Sequence, residues 1–78
     1  MRLEIVTPDK QVFSGEIISA KFPGAEGSFG VLKDHAPIIS TLKEGVIEVV
    51  EENKKERSFE IGGGVVEVLK NRIIVLAE

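Results

Sequence analysis

The chain has 78 residues, with ten Lys plus Arg against thirteen Asp plus Glu for a formal net charge of -3, and no Cys. That composition fits one small domain, of a size that buries only about 60% of its unfolded surface, and excludes a disulfide framework or a thiolate metal site. The basic residues stand singly except at Lys54, Lys55 and Arg57, where Glu51, Glu52 and Glu56 cancel their field, so no nucleic-acid partner is expected.

Met1-Arg2-Leu3-Glu4-Ile5-Val6 carries charge where a signal peptide needs an apolar run, and no long apolar stretch follows, so neither a leader nor direct membrane insertion is expected. From there the chain alternates short Val- and Ile-rich runs with Gly, Pro, Asn and charged clusters, the pattern of an all-β sandwich or barrel. Strands are predicted at residues 3–7, 11–13, 16–22, 27–32, 37–42, 45–51, 57–61, 65–69 and 72–77, with no long helix. Thr7-Pro8-Asp9-Lys10 suits a type I turn, Glu52-Asn53-Lys54-Lys55 a polar hairpin tip, and Lys70-Asn71 a closing hairpin in which Asn takes a left-handed conformation. Strands joined by such short turns run antiparallel.

Several runs are apolar in both side-chain directions: Ile17-Ile18, Val46-Ile47, Val49-Val50, Val65-Val66 and Ile73-Ile74-Val75-Leu76. A sheet with one solvated face would alternate instead. Two explanations stay open: strands that exchange inside for outside at bulges, or an exposed apolar surface reserved for another protein.

Catalytic readings fail on the residues available. His35 is the only His and has Asp34 beside it, but neighbours in an extended segment point opposite ways, and neither Ser28 nor Ser40 sits in a strand-to-helix elbow. One His and dispersed carboxylates do not assemble a metal site. Gly62-Gly63-Gly64 leads into Val65-Val66 without the Lys-Ser/Thr or the helix start of a phosphate loop, so a close backbone approach is the simpler reading. Lys10, at a tip in a small β domain, raises a carrier or adaptor domain of lipoyl or biotinyl type as the alternative; the small residues and Met that would flank a modified Lys are missing.

The segment Pro23-Gly24-Ala25-Glu26-Gly27-Ser28-Phe29-Gly30-Val31-Leu32-Lys33-Asp34-His35-Ala36-Pro37 spaces its glycines as no regular element would, which marks a structured loop. With Phe13-Ser14-Gly15-Glu16 before it, Thr41-Leu42-Lys43-Glu44-Gly45-Val46-Ile47 after it, then Gly63-Gly64-Val65-Val66-Glu67-Val68 and Val75-Leu76-Ala77-Glu78, it resembles the ATP synthase ε subunit family, called δ in mitochondria. Two departures stand out. Lys33-Asp34 replaces the family's Pro-Gly or Pro-Asn before His-Ala-Pro, and the sequence ends where the family commonly adds a two-helix C-terminal hairpin.

The resemblance implies one domain over residues 1–78: an all-β, ten-stranded sandwich of two antiparallel sheets without that hairpin. It also implies a non-catalytic central-stalk rotor subunit with no cofactor, peripheral to an energy-transducing membrane on the cytoplasmic or equivalent organelle side. There it would couple rotation of the proton-translocating c-ring to the γ subunit and ATP synthesis. Carried over residue by residue, Glu26, Ser28, Phe29, Lys33, Asp34 and His35 would face the c-ring, and Val12, Gly45 and Val46 would face γ. Inhibition and ATP binding, which the resemblance assigns to the hairpin, are not expected of the sandwich.

Overall fold

The computed structural model describes residues 1–78, and every regular element in it is a strand: β1 (Arg2–Val6), β2 (Gln11–Phe22), β3 (Phe29–Leu32), β4 (Ile38–Leu42), β5 (Gly45–Glu51), β6 (Glu56–Ile61), β7 (Gly64–Leu69) and β8 (Arg72–Ala77). Alternation defines them: β7 buries Val66 and Val68 while Val65, Glu67 and Leu69 face out, and β8 buries Ile73, Val75 and Ala77. No helix is long and apolar enough to cross a membrane.

The eight strands are one fewer than the sequence pattern predicts and two fewer than the resemblance implies. The reason is Ser14-Gly15, which does not interrupt pairing: Ser14 lies opposite Glu4 and Gly15 opposite Leu3, so the two expected strands are one of 12 residues. Residues 27 and 28 belong to the preceding loop, because Gly27 takes φ 133° and its amide donates back to the Gly24 carbonyl at 3.0 Å.

The strand order is β4-β7-β8-β1-β2-β5-β6, with β3 also on β2. The first half of β2 pairs with β1, and the second half is flanked by β3 and β5. A register slip between Ile17 and Ser19 marks the passage. One bent strand thereby carries the chain from a β4-β7-β8-β1-β2 layer into a β3-β2-β5-β6 layer, as bulged corner strands do in sandwiches.

The layers are not purely antiparallel, as had been expected. β1 and β8 pair in parallel, Arg2 opposite Arg72 through Val6 opposite Leu76. They lie at opposite ends of the sequence, so no tight turn constrains their relative direction.

Sixteen apolar residues form one core, led by Phe22, Leu3, Ile5 and Ile47, and no polar or charged side chain is buried. The doubly apolar runs fall into two situations. Ile18 is the extra residue of the slip in β2, displaced outward by the bulge. Val46, Val65 and Leu76 lie in regular ladders and point outward, 43%, 41% and 59% exposed.

Candidate functional site

The glycine-rich segment is built around edge strand β3. Before β3, the amide of Ala25 donates to the Thr41 carbonyl at 2.9 Å and that of Lys43 to the Pro23 carbonyl at 2.9 Å, which fastens the loop over β4. Gly24 is required there because a Cβ would run into the Gly27 carbonyl and the Phe29 ring. After β3, the His35 amide closes a turn on the Leu32 carbonyl at 3.1 Å, and Asp34 holds φ 65° within it. Asp34 thus supplies the left-handed residue that this turn needs.

The six residues carried over to the ring contact fall on this edge but not in one cluster. Glu26 and Ser28 are exposed in the loop before β3, while Lys33, Asp34 and His35 follow it at the other end. The strand between them is four residues long and spans about 10 Å. Phe29 is half-buried, its ring 5.6 Å from that of Phe22, so it anchors the edge to the core more than it presents a surface.

The three γ-side residues separate further. Val12 is half-buried and packs against the core. Gly45 is a packing glycine: a Cβ there would lie 2.8 Å from Cβ of Pro23. Only Val46 offers an outward apolar side chain.

Val46 does not stand alone. On the outer face of the β3-β2-β5-β6 layer it borders a groove with Leu32, Val50, Ser19, Lys21 and Ser58. Register places Leu32 and Val50 on either side of Ser19, and Lys21 opposite Glu48. The face is therefore an apolar strip of Leu32, Val46 and Val50 crossed by the Lys21–Glu48 pair and bordered on β6 by Glu56 and Glu60, which lie opposite Val50 and Val46. Leu32, 63% exposed, was missing from the sequence-derived set; an apolar residue directly before Lys33-Asp34 was the available signal.

The same geometry disposes of a triad. The Asp34 carboxylate accepts a bond from Nδ2 of Asn71 at 3.1 Å, and Nδ1 of His35 lies 2.7 Å from the Ala36 carbonyl. A carbonyl can only accept, so Nδ1 carries the proton and Asp34 does not orient the ring. The hydroxyl of Ser40 donates to the Thr41 carbonyl at 3.2 Å.

A sequence profile described as "ATP synthase, Delta/Epsilon chain, beta-sandwich domain" matches residues 1–78. The chain belongs to the ATP synthase delta/epsilon family. Proteins named ATP synthase epsilon chain are 45% identical over 78 residues in Sulfurimonas denitrificans and 46% identical over 77 residues in Chlorobium limicola. These alignments cover 100% and 99% of this chain, with 60% of the first relative and 88% of the second. The chain thus spans less than two thirds of the Sulfurimonas protein.

Among solved structures, a chain of the Euglena gracilis mitochondrial ATP synthase, described with OSCP, F1 and c-ring, superposes with a TM-score of 0.89 at 25% identity. That match covers 96% of this chain and 48% of the Euglena one. A chain of the Tetrahymena thermophila mitochondrial enzyme has the same fold, with a TM-score of 0.79 at 20% identity over 99% of this chain and 62% of its own. Members of the family are non-catalytic subunits of the synthase.

Proposed function

We propose that the chain is the sandwich of a central-stalk rotor subunit that couples a proton-driven c-ring to the γ subunit. It performs no chemistry itself and works at the periphery of the membrane, on the cytoplasmic or equivalent organelle side. The observation that carries the reading is the juxtaposition of two unlike surfaces on one strand. Strand β3 contributes Leu32 to the apolar groove around Val46 and Val50, and its two flanking loops present Glu26, Ser28, Lys33, Asp34 and His35 along the adjacent edge.

A rotor coupling must resist slip at two contacts at once. The apolar face suits γ, because burying Leu32, Val46 and Val50 holds a partner continuously. The polar edge suits the loops of the ring, where hydrogen bonds through water give register without a large apolar contact. Adjacent surfaces on one rigid sandwich pass torque from ring to shaft with little internal give, since the core beneath is close-packed.

Cysteine cross-linking in the assembled synthase tests both contacts. Cysteines replacing Ser28 and His35 are expected to link to the c-ring, and one replacing Val46 to γ. Linkage of Val46→Cys to the ring, or of both edge cysteines to γ alone, overturns the assignment. Linkage of only one edge cysteine to the ring would confine that contact to one end of β3 and reject the whole-edge reading.

A further inference from the structure

The β7–β8 turn, Lys70-Asn71, belongs to neither surface described so far, yet Asn71 spends every polar group but its own amide on distant parts of the chain. Its carbonyl accepts the Arg2 amide at 3.0 Å, its Oδ1 accepts the Asp34 amide at 2.8 Å, and its Nδ2 donates to Oδ1 of Asp34 at 3.1 Å. The two residues are 37 positions apart and both hold left-handed backbones, with φ 65° at Asp34 and 62° at Asn71. A glycine at position 34 would accept that backbone more easily, but only a side chain with an acceptor can return the bond from Nδ2.

The consequence falls on His35. Its backbone is fixed by the turn that Asp34 shapes, and its ring is fixed by the bond from Nδ1 to the Ala36 carbonyl. With Nδ1 engaged by that carbonyl, the direction of Nε2 depends on the loop that Asn71 grips. We propose that Asn71 is a positioning residue for the β3 edge: its two-point clasp on Asp34 fixes the pose in which Lys33 and His35 meet the partner. The 33–37 loop and the β7–β8 turn then act as one recognition unit. Binding by this unit rests on the reading of the edge as ring-facing; the clasp itself does not.

The clasp offers an advantage that a free loop lacks. A preordered loop loses less conformational entropy when it binds; both bonds go when Asn71 loses its side chain, whereas loss of the Asp34 carboxylate removes only the bond from Nδ2.

The test uses the purified chain, detergent-solubilised c-ring as the probe, and three variants. Asn71→Gly keeps the left-handed turn and the main-chain bond to Arg2 but removes both clasp bonds. Asp34→Gly keeps the loop backbone and the amide bond but removes the carboxylate, and the third variant combines the two. Expected for Asn71→Gly are a cooperative thermal unfolding like that of the wild type, displaced and broadened His35 ring resonances in the NMR spectrum, and ring affinity lower by about tenfold, the loss of roughly one well-formed hydrogen bond. The double variant is expected to displace the His35 resonances no further than Asn71→Gly. His35 resonances that stay in place in Asn71→Gly, or displacements that add in the double variant, would overturn the proposal. If the wild-type chain itself does not bind the ring, the edge assignment fails, and the clasp is judged on the His35 resonances alone.

Discussion

Gly64 shows how one residue's backbone can decide a fold. It holds φ 149°, and a Cβ built on it would collide with the carbonyl of Leu76 across the β7–β8 ladder. Neither partner can yield, since Leu76 lies in the register that pairs β8 with both β7 and β1. Gly64→Ala is therefore expected to cost about 2–4 kcal/mol, combining backbone strain with a steric clash. Chemical denaturation would measure this as a lower midpoint at unchanged slope; a midpoint within error of the wild type would show that the ladder opens there. Gly27 differs: its φ is 133°, but a Cβ would meet nothing within 4 Å, so only the backbone preference argues for glycine.

At the scale of elements, the layer formed by β3, β2, β5 and β6 ends in β6, which pairs only with β5. What ties this edge to the opposite layer is aromatic. The ring of Phe59 lies 5.4 Å from that of Phe13 at the start of β2, and the Arg57 guanidinium sits 5.2 Å from one ring centroid and 5.4 Å from the other. Glu51 holds the guanidinium from β5 at 3.4 Å. Phe59→Ala removes one aromatic contact and one cation–π contact and exposes part of Phe13, at an expected cost of about 2 kcal/mol. Hydrogen exchange should report it selectively, with faster exchange of β6 amides and little change in β7 and β8. Uniform acceleration across all strands would mean that β6 does not open separately. The outward residues Glu56, Ser58 and Glu60 suit an exposed edge, because charge there discourages pairing with another chain.

For the whole molecule, the proposed function has a thermodynamic consequence. A chain of 78 residues with a single core of 16 buried apolar residues has little stability to spare. A partner that binds only the folded state adds RT ln(1 + [L]/Kd), about 2.7 kcal/mol at a hundredfold excess over Kd. For a domain of this size, that raises Tm by roughly 10–20 °C. Titrating γ into the chain in a thermal scan should show this rise. Val46→Asp, at a position that points out of the core, should leave the Tm of the free chain nearly unchanged and abolish most of the rise, because a charge would then be desolvated at the contact. Unfolding of that variant without γ would place Val46 in the core; an undiminished rise would move the γ contact to another face, such as the one that presents Val65 and Leu76.

The sequence by itself determined what rests on local rules. The strands followed from short Val- and Ile-rich runs separated by turn residues, and the left-handed Asn71 of the closing hairpin from residue type. The family was legible as well, because its glycines mark places where the backbone packs closely or turns left-handed, at Gly24 and Gly64 among others. Only the tertiary structure decided the rest, and the reason is common to each case: the deciding partner is far away in sequence. Ser14-Gly15 reads as a break until Glu4 and Leu3 pair with it. The parallel pairing of β1 with β8 joins the two ends of the sequence, where no turn chemistry specifies direction. Val12 and Val46 are the same residue type, yet Val12 packs on the core while Val46 borders a groove, on the side of β5 away from buried Ile47 and Val49. Asn71 looked like a turn residue and nothing more, because Asp34, which gives it a second role, stands 37 residues away.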